Sequence, residues 1–104
     1  MNDTSQIEKI IQMEEKYTSA SQAVQALSCA LENYIHAQAD LTDLARYYHS
    51  PEWLADYDAD NRGEFPQDLN RGVLSEDALY NLLSKNDEVI RTMIQLASEH
   101  CRKL

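Results

Sequence analysis

The chain has 104 residues, the size of one domain, and its 18 acidic and 9 basic residues give a net charge of −9. This balance argues against direct contact with nucleic acid or an anionic membrane, because both need clustered Lys and Arg. Only 2 Gly and 2 Pro occur, too few for an all-β sandwich, and 43% hydrophobic residues can build a core. With no apolar membrane span and no secretory leader in view, the sequence predicts a cytoplasmic protein.

Residues 5–49 are predicted to form one long helix, because they contain neither Gly nor Pro. Their apolar residues recur at alternating spacings of three and four, which is typical of a coiled-coil-like seam. The helix could break at Thr18-Ser19 or at Asp40, yet the register passes both without a shift, which favours a continuous helix. The two rows of the seam are Ile10, Tyr17, Val24, Leu31, Gln38 and Ala45, and Met13, Ala20, Leu27, Tyr34, Leu41 and Tyr48.

A short helix is predicted for residues 51–57, because Ser50 can cap it and Pro51 suits its first position. Trp53, Leu54 and Tyr57 would share one face. Residues 58–74 are predicted to be an acidic loop. Eight acids and two bases between residues 52 and 77 give this stretch −6 of the total charge.

The last helix is predicted for residues 76–102, with Ser75 as its N-cap. Leu74 and Leu79 occupy the two positions of a hydrophobic staple. The apolar face of this helix is wider than a two-row seam, which predicts contact with more than one neighbour. It comprises Leu79, Leu82, Leu83, Val89, Ile90, Met93, Ile94, Ala97 and Cys101. The predicted fold is therefore all-α: a long antiparallel, coiled-coil-like hairpin with a short intervening helix.

The middle of the chain resembles a small bacterial family of short, acidic, helical proteins that is known as a domain of unknown function. The resemblance rests on the run from Arg71 to Asp77 and on scattered residues before and after it. Those residues are Tyr47-Tyr48, Ser50, Trp53, Asp56-Tyr57, Asp60, Gly63, Pro66, Asp68-Leu69, Tyr80 and Leu82-Leu83. It implies a soluble bacterial protein that begins with a long helix. No activity is carried over with it, and no catalytic residue.

Asp56, Asp58 and Asp60 match the start of a calcium-binding loop, in which alternate carboxylates converge on the cation. The sixth position, however, is Asn61 where such loops need Gly, and the twelfth is Gln67 where they need Glu. A solvated acidic turn is the favoured interpretation, so no metal or cofactor is predicted. Glu32, His36, Asp40 and Asp43 share a helical face, and a solvated outer face is again favoured. Cys29 and Cys101 are predicted to be reduced structural thiols.

Arg71 and Gly72 precede the last helix and could suggest an anion site at its N-terminus. Glu76 and Asp77 would repel such an anion. We therefore expect structural roles: Arg71 pairs with an acid of the −6 stretch, and Gly72 adopts an unusual backbone angle.

Five of the eight aromatic residues lie within 19 positions: Tyr47, Tyr48, Trp53, Tyr57 and Phe65. They could form a local core beneath the short helix or an open patch that binds a protein, and both could hold at once. No nucleophile–base motif, phosphate loop or dinucleotide fingerprint occurs, so an enzyme is not expected.

The first helix is longer than any segment that could fold back on it, which leaves Ile7, Ile10, Met13 and Tyr17 without a predicted partner in the chain. A homodimer is the simplest way to cover this strip. The sequence thus predicts a non-catalytic interaction module that self-associates and binds a further, unidentified protein. The alternative is an acidic inhibitor or nucleic-acid mimic that occupies a basic groove on its target.

Overall fold

The computed structural model describes residues 3–101, and these form three α-helices and no strand. Helix α1 spans Asp3–Tyr48, α2 spans Pro51–Asn61 and α3 spans Ala78–Cys101, with a 3-10 turn at Gly72–Leu74. The all-α prediction is confirmed, and α1 runs without a break past Thr18-Ser19 and Asp40. The chain divides into two compact units, Met1–Gln38 and Ala39–Leu104, here termed the N-terminal and C-terminal units.

The N-terminal unit is a stretch of α1 in which every described side chain up to Asn33 is exposed. Only Tyr34 and Ala37 are half-buried. Gln38, the one polar residue of the two predicted rows, is exposed. Its side-chain amide donates to the backbone carbonyl of Tyr34 at 3.3 Å. The polar residue in the seam thus bonds to its own helix.

The C-terminal unit contains the two buried residues of the described chain, Leu74 and Leu79, at 7% and 3% exposure. They flank the start of α3. The Ser75 hydroxyl accepts a hydrogen bond from the Ala78 amide at 3.1 Å, which confirms Ser75 as the cap. Leu74 precedes this cap and Leu79 lies four residues beyond it, the arrangement of a hydrophobic staple. The regular helix begins at Ala78, two residues after its predicted start, because Glu76 and Asp77 form the entering turn.

Helix α2 begins as predicted, with the Ser50 hydroxyl accepting from the Trp53 amide at 3.4 Å. It continues to Asn61, four residues beyond its predicted end. The stop is set by Gly63, whose φ of +74° is open to glycine at little cost. The amide of Gly63 donates to the Asp60 carbonyl and that of Glu64 to the Ala59 carbonyl, the two bonds of a Schellman motif. The acidic segment therefore starts as helix, not as loop.

Helix α3 buries less of its apolar face than its width suggests. Leu83, Ile90 and Met93 are half-buried, at the spacing of one helical seam. Three further residues of the predicted apolar face, Leu82, Val89 and Ile94, are exposed. The surrounding described chain covers one narrow stripe of α3.

Candidate interaction site

The apolar seam of α1 is exposed from Ile10 to Leu31. We use the name "exposed seam" for its residues Ile10, Met13, Tyr17, Val24, Leu27 and Leu31, which are 37% to 68% exposed. Ile7 and Ile11 add exposed apolar surface along one side of it. Soluble proteins usually cover contiguous apolar surface of this kind. The strip predicted for self-association is thus open in the chain.

Three aromatic rings form a ladder in the C-terminal unit, where α1 ends and α2 begins. The Trp53 ring meets Tyr48 edge-on and stacks on Tyr57, with both centroid separations at 5.2 Å. All three residues are half-buried. Tyr48 and Tyr57 thus hold the indole from two sides, a geometry favoured by the ring quadrupoles. Leu54, predicted to share this face, is 56% exposed and lies outside the ladder.

Two hydrogen bonds join the ladder to the segment before α3. The Trp53 Nε1 donates to the Val73 carbonyl at 2.8 Å, and the Tyr57 hydroxyl donates to Glu76 Oε1 at 2.5 Å. The bond to Glu76 raises the pKa of Tyr57, since it is made by the protonated hydroxyl. The polar ends of Trp53 and Tyr57 are therefore occupied within the chain, while the edges of the rings remain partly open.

Tyr47 and Phe65 lie apart from the ladder, around a small cavity. The Tyr47 hydroxyl donates to Asp56 Oδ2 at 2.6 Å. Burial, and then the bond to this carboxylate and its charge, raise the pKa of Tyr47 to about 12. The cavity, of about 340 Å³, is also lined by Leu69, Asn70, Arg71, Val73 and Leu74. The five predicted aromatic residues thus form two groups and not one patch.

The three aspartates considered for calcium lie on α2. A helix turns about 100° per residue, so alternate side chains point away from each other and do not converge as in a loop. Asp56 accepts from Tyr47, and Asp60 pairs with Arg71 at 2.7 Å. Among residues 3–101, no group of three His, Cys, Asp or Glu is placed to hold a metal ion. The face with Glu32, His36, Asp40 and Asp43 is exposed, as are both cysteines.

Arg71 has the structural role that the sequence predicts, and Gly72 does not. Arg71 Nη1 bonds to Asp60 of α2, and Nη2 donates to the Gln67 carbonyl at 3.3 Å. One side chain thus joins the loop around Gln67 to α2. The unusual backbone angle expected at Gly72 is wrong. Gly72 begins a 3-10 turn, and the positive φ belongs to Gly63. Helical φ values are negative and open to any residue, so the turn does not require glycine at position 72.

Sequence reasoning missed several residues that organise this region. Gly63 could have been found as a helix stop, since a glycine just past a polar helix end is a common C-cap signal. The partner of Trp53 is a backbone carbonyl at Val73, and a main-chain acceptor leaves no mark in the residue pattern. Glu76 was considered only as a charge that would repel an anion, whereas it accepts a hydrogen bond from the Tyr57 hydroxyl.

A family model described as a domain of unknown function (DUF4298) matches residues 10–96, most of the chain. The chain belongs to the DUF4298 family. The DUF4298 match begins at Ile10 and ends at Leu96, so it includes both the exposed seam and the aromatic ladder. No curated protein matches the chain, and no solved structure does. Within residues 3–101, none of the helices has the length and apolar content needed to cross a membrane.

Proposed function

We propose that this DUF4298 protein is a non-catalytic interaction module that self-associates through the exposed seam of α1. The observation that carries the proposal is the exposure of all six seam residues at unbroken heptad spacing. Coiled-coil pairing buries such rows against an equivalent row. Burying a large apolar side chain contributes roughly 1.5–3 kcal/mol, so several in a row outweigh the entropy lost on association.

The helical state of the N-terminal unit supports the same proposal. None of its described residues is buried, so packing within the chain contributes little to the stability of this part of the helix. Most helical stability in proteins comes from packing of an apolar face. A second chain on the exposed seam would supply that packing.

The non-catalytic part of the proposal rests on three carboxylates whose hydrogen bonds and ion pairs hold the fold together. Asp56, Asp60 and Glu76 each bond to a side chain from another segment of the C-terminal unit. These bonds fasten α2 to the end of α1 and to the segment before α3. The carboxylates thus support the fold and leave the surface to recognition.

The alternative of an acidic inhibitor or nucleic-acid mimic receives less support. Such a protein needs carboxylates that project towards a basic groove. Four of the eight acids in the −6 stretch bond to side chains of their own chain: Asp56, Asp60, Glu64 and Glu76. We keep this function as the second candidate, which the salt dependence of binding would distinguish.

Sedimentation of the full chain at tens of micromolar tests self-association. We expect dimers for the wild type, and monomers for the variant Ile10→Asp/Met13→Asp, because two charges would be buried in the seam. The control Gln12→Asp/Gln22→Asp adds the same charge on the outer face of α1 and should remain dimeric. A monomeric wild type, or equal weakening by both variants, would contradict the proposal.

Salt separates the two candidate functions. An apolar interface should hold between 0.05 and 0.5 M NaCl, whereas capture of a basic target by carboxylates weakens steeply over that range. The dimer dissociation constant at both concentrations tests the apolar interface, and binding of polylysine, a basic probe, at the same concentrations tests the alternative. A change beyond about tenfold would count against an apolar seam.

A further inference from the structure

The charged residues beside the exposed seam are distributed unequally on its two sides. Setting Ile10 at heptad position a and Met13 at d follows from their spacing of three, since a to d is three residues and d to the next a is four. Lys9 and Lys16 then fall at g, on one flank. Glu14 falls at e, on the other flank, and all three are exposed.

This distribution distinguishes the two ways in which a second copy could lie on the seam. In a parallel, in-register pair, a g residue faces the e residue five positions later in the partner chain. Lys9 of each chain would then face Glu14 of the other, twice by symmetry. In an antiparallel pair g faces g and e faces e, so neither Lys9 nor Lys16 would face Glu14.

The seam residues favour a pair of helices over a larger assembly. Positions a include the β-branched residues Ile10 and Val24, and position d includes Leu27. Among parallel coiled coils, β-branched residues at a with Leu at d favour two strands over three or four. The seam therefore fits one second copy, and the charges on its flanks fit the parallel orientation.

We propose that the exposed seam binds the seam of a second copy of this chain as a parallel, in-register pair, with Lys9 of each chain facing Glu14 of the other. This inference rests on the self-association proposed above and adds its geometry. The partner is complementary in shape because it carries the same heptad rows. It is complementary in charge because the opposite flanks meet.

Disulfide trapping tests the orientation in the full chain. In a Cys29→Ser/Cys101→Ser background, Gln6→Cys places a thiol at position d, one heptad before Met13, without removing an apolar seam residue. In a parallel, in-register pair the two thiols meet across the axis. We expect cross-linking in a glutathione redox buffer at least tenfold above that of the control Gln12→Cys, which lies at outward position c.

The outcomes separate the geometry from the function. If sedimentation gives dimers but Gln6→Cys cross-links no better than Gln12→Cys, the parallel pair is wrong and self-association stands. If the background protein is a monomer at tens of micromolar, self-association fails and this geometry fails with it.

A charge exchange provides the second measurement. Glu14→Lys places a lysine opposite Lys9, and we expect the dimer dissociation constant at low salt to rise about three- to tenfold. Adding Lys9→Glu to the same chain restores opposite charges and should return the constant to the wild-type value. A double variant that remains as weak as Glu14→Lys alone would overturn the pairing of these flanks.

Discussion

The two stretches of α1 share one heptad register and differ in burial. From Ile10 to Leu31 the seam is 37% to 68% exposed, whereas Leu41, Ala45 and Tyr48 in the C-terminal unit are half-buried. The C-terminal unit supplies neighbours for its part of the helix: Tyr48 meets Trp53, and lines a cavity with Leu83 and Ser84 of α3. Heptad spacing thus selects which residues form a seam, while the rest of the chain decides which part of it is covered.

The strongest test of this comparison removes the same side chain from each region. Leu79→Ala should lower the free energy of unfolding by about 2–4 kcal/mol, because Leu79 is 3% exposed. Leu27→Ala, at a 52% exposed seam position, should cost less than about 1 kcal/mol at concentrations where the chain is monomeric. Urea unfolding followed by circular dichroism measures both.

The comparison becomes sharper at high concentration. If dimers form, the cost of Leu27→Ala should grow with protein concentration, whereas that of Leu79→Ala should not change in relation to the wild type. Equal costs for the two variants in the monomer would show that burial does not distinguish the regions.

A smaller effect distinguishes two glycines within the C-terminal unit. Gly63→Ala should destabilise the protein by about 1–2 kcal/mol, because its φ of +74° places a side chain in the left-handed region. Gly72→Ala meets open space and has no positive φ, so it should be neutral or stabilise by up to about 1 kcal/mol. Thermal melts of the two variants measure the difference. An equal loss of stability in both would contradict the assignment of the positive φ to Gly63 alone.

The smallest expected effect is a pH dependence confined to the C-terminal unit. Because folding raises the pKa of Tyr47 from 10.0 to about 12, its contribution to stability is complete below pH 10 and is lost as the pH rises towards 12. Tyr47→Phe should cost about 1 kcal/mol at neutral pH and flatten the decline in stability above pH 10. Urea titrations from pH 8 to about 11.5 measure the slope.

Tyr17→Phe is the matched control, since Tyr17 is a 68% exposed tyrosine of the seam. It should leave the alkaline slope of the monomer unchanged. A slope that flattens equally in both variants would mean that the Asp56 bond does not govern the effect.

The sequence predicted the helices well because helix formation depends on local signals. Ser50 and Ser75 act as caps through bonds to residues three positions later, and the run without Gly or Pro is one helix. Both signals involve residues that are close in the sequence. The ring ladder could be predicted only as a concentration of aromatic residues. Which ring stacks on which depends on the angle between α1 and α2, which residue spacing does not contain.

The error at Gly72 and the extension of α2 have one cause. In each case the wrong glycine was expected to adopt the special backbone angle. The acidic residues before Gly63 favoured the prediction of a loop, so Gly63 was not identified as the residue that ends α2. In the structure, the Schellman bonds at Gly63 and Glu64 satisfy the free carbonyls of α2, so the helix can run to Asn61.

The partner of Arg71 could be predicted only as a class of residue. The sequence predicted that Arg71 pairs with one of the eight acids, and charge alone did not identify Asp60 as that acid.

The bonds that join α2 to the segment before α3 have a consequence for folding kinetics. Trp53 and Val73 are 20 positions apart in the chain, Tyr57 and Glu76 are 19 apart, and Tyr47 and Asp56 only 9. Closing such short loops has a small entropic cost, and helical proteins with local contacts fold in microseconds to milliseconds. The C-terminal unit should therefore refold within milliseconds after dilution from urea, at a rate independent of protein concentration, and any later, concentration-dependent phase would report the meeting of two chains.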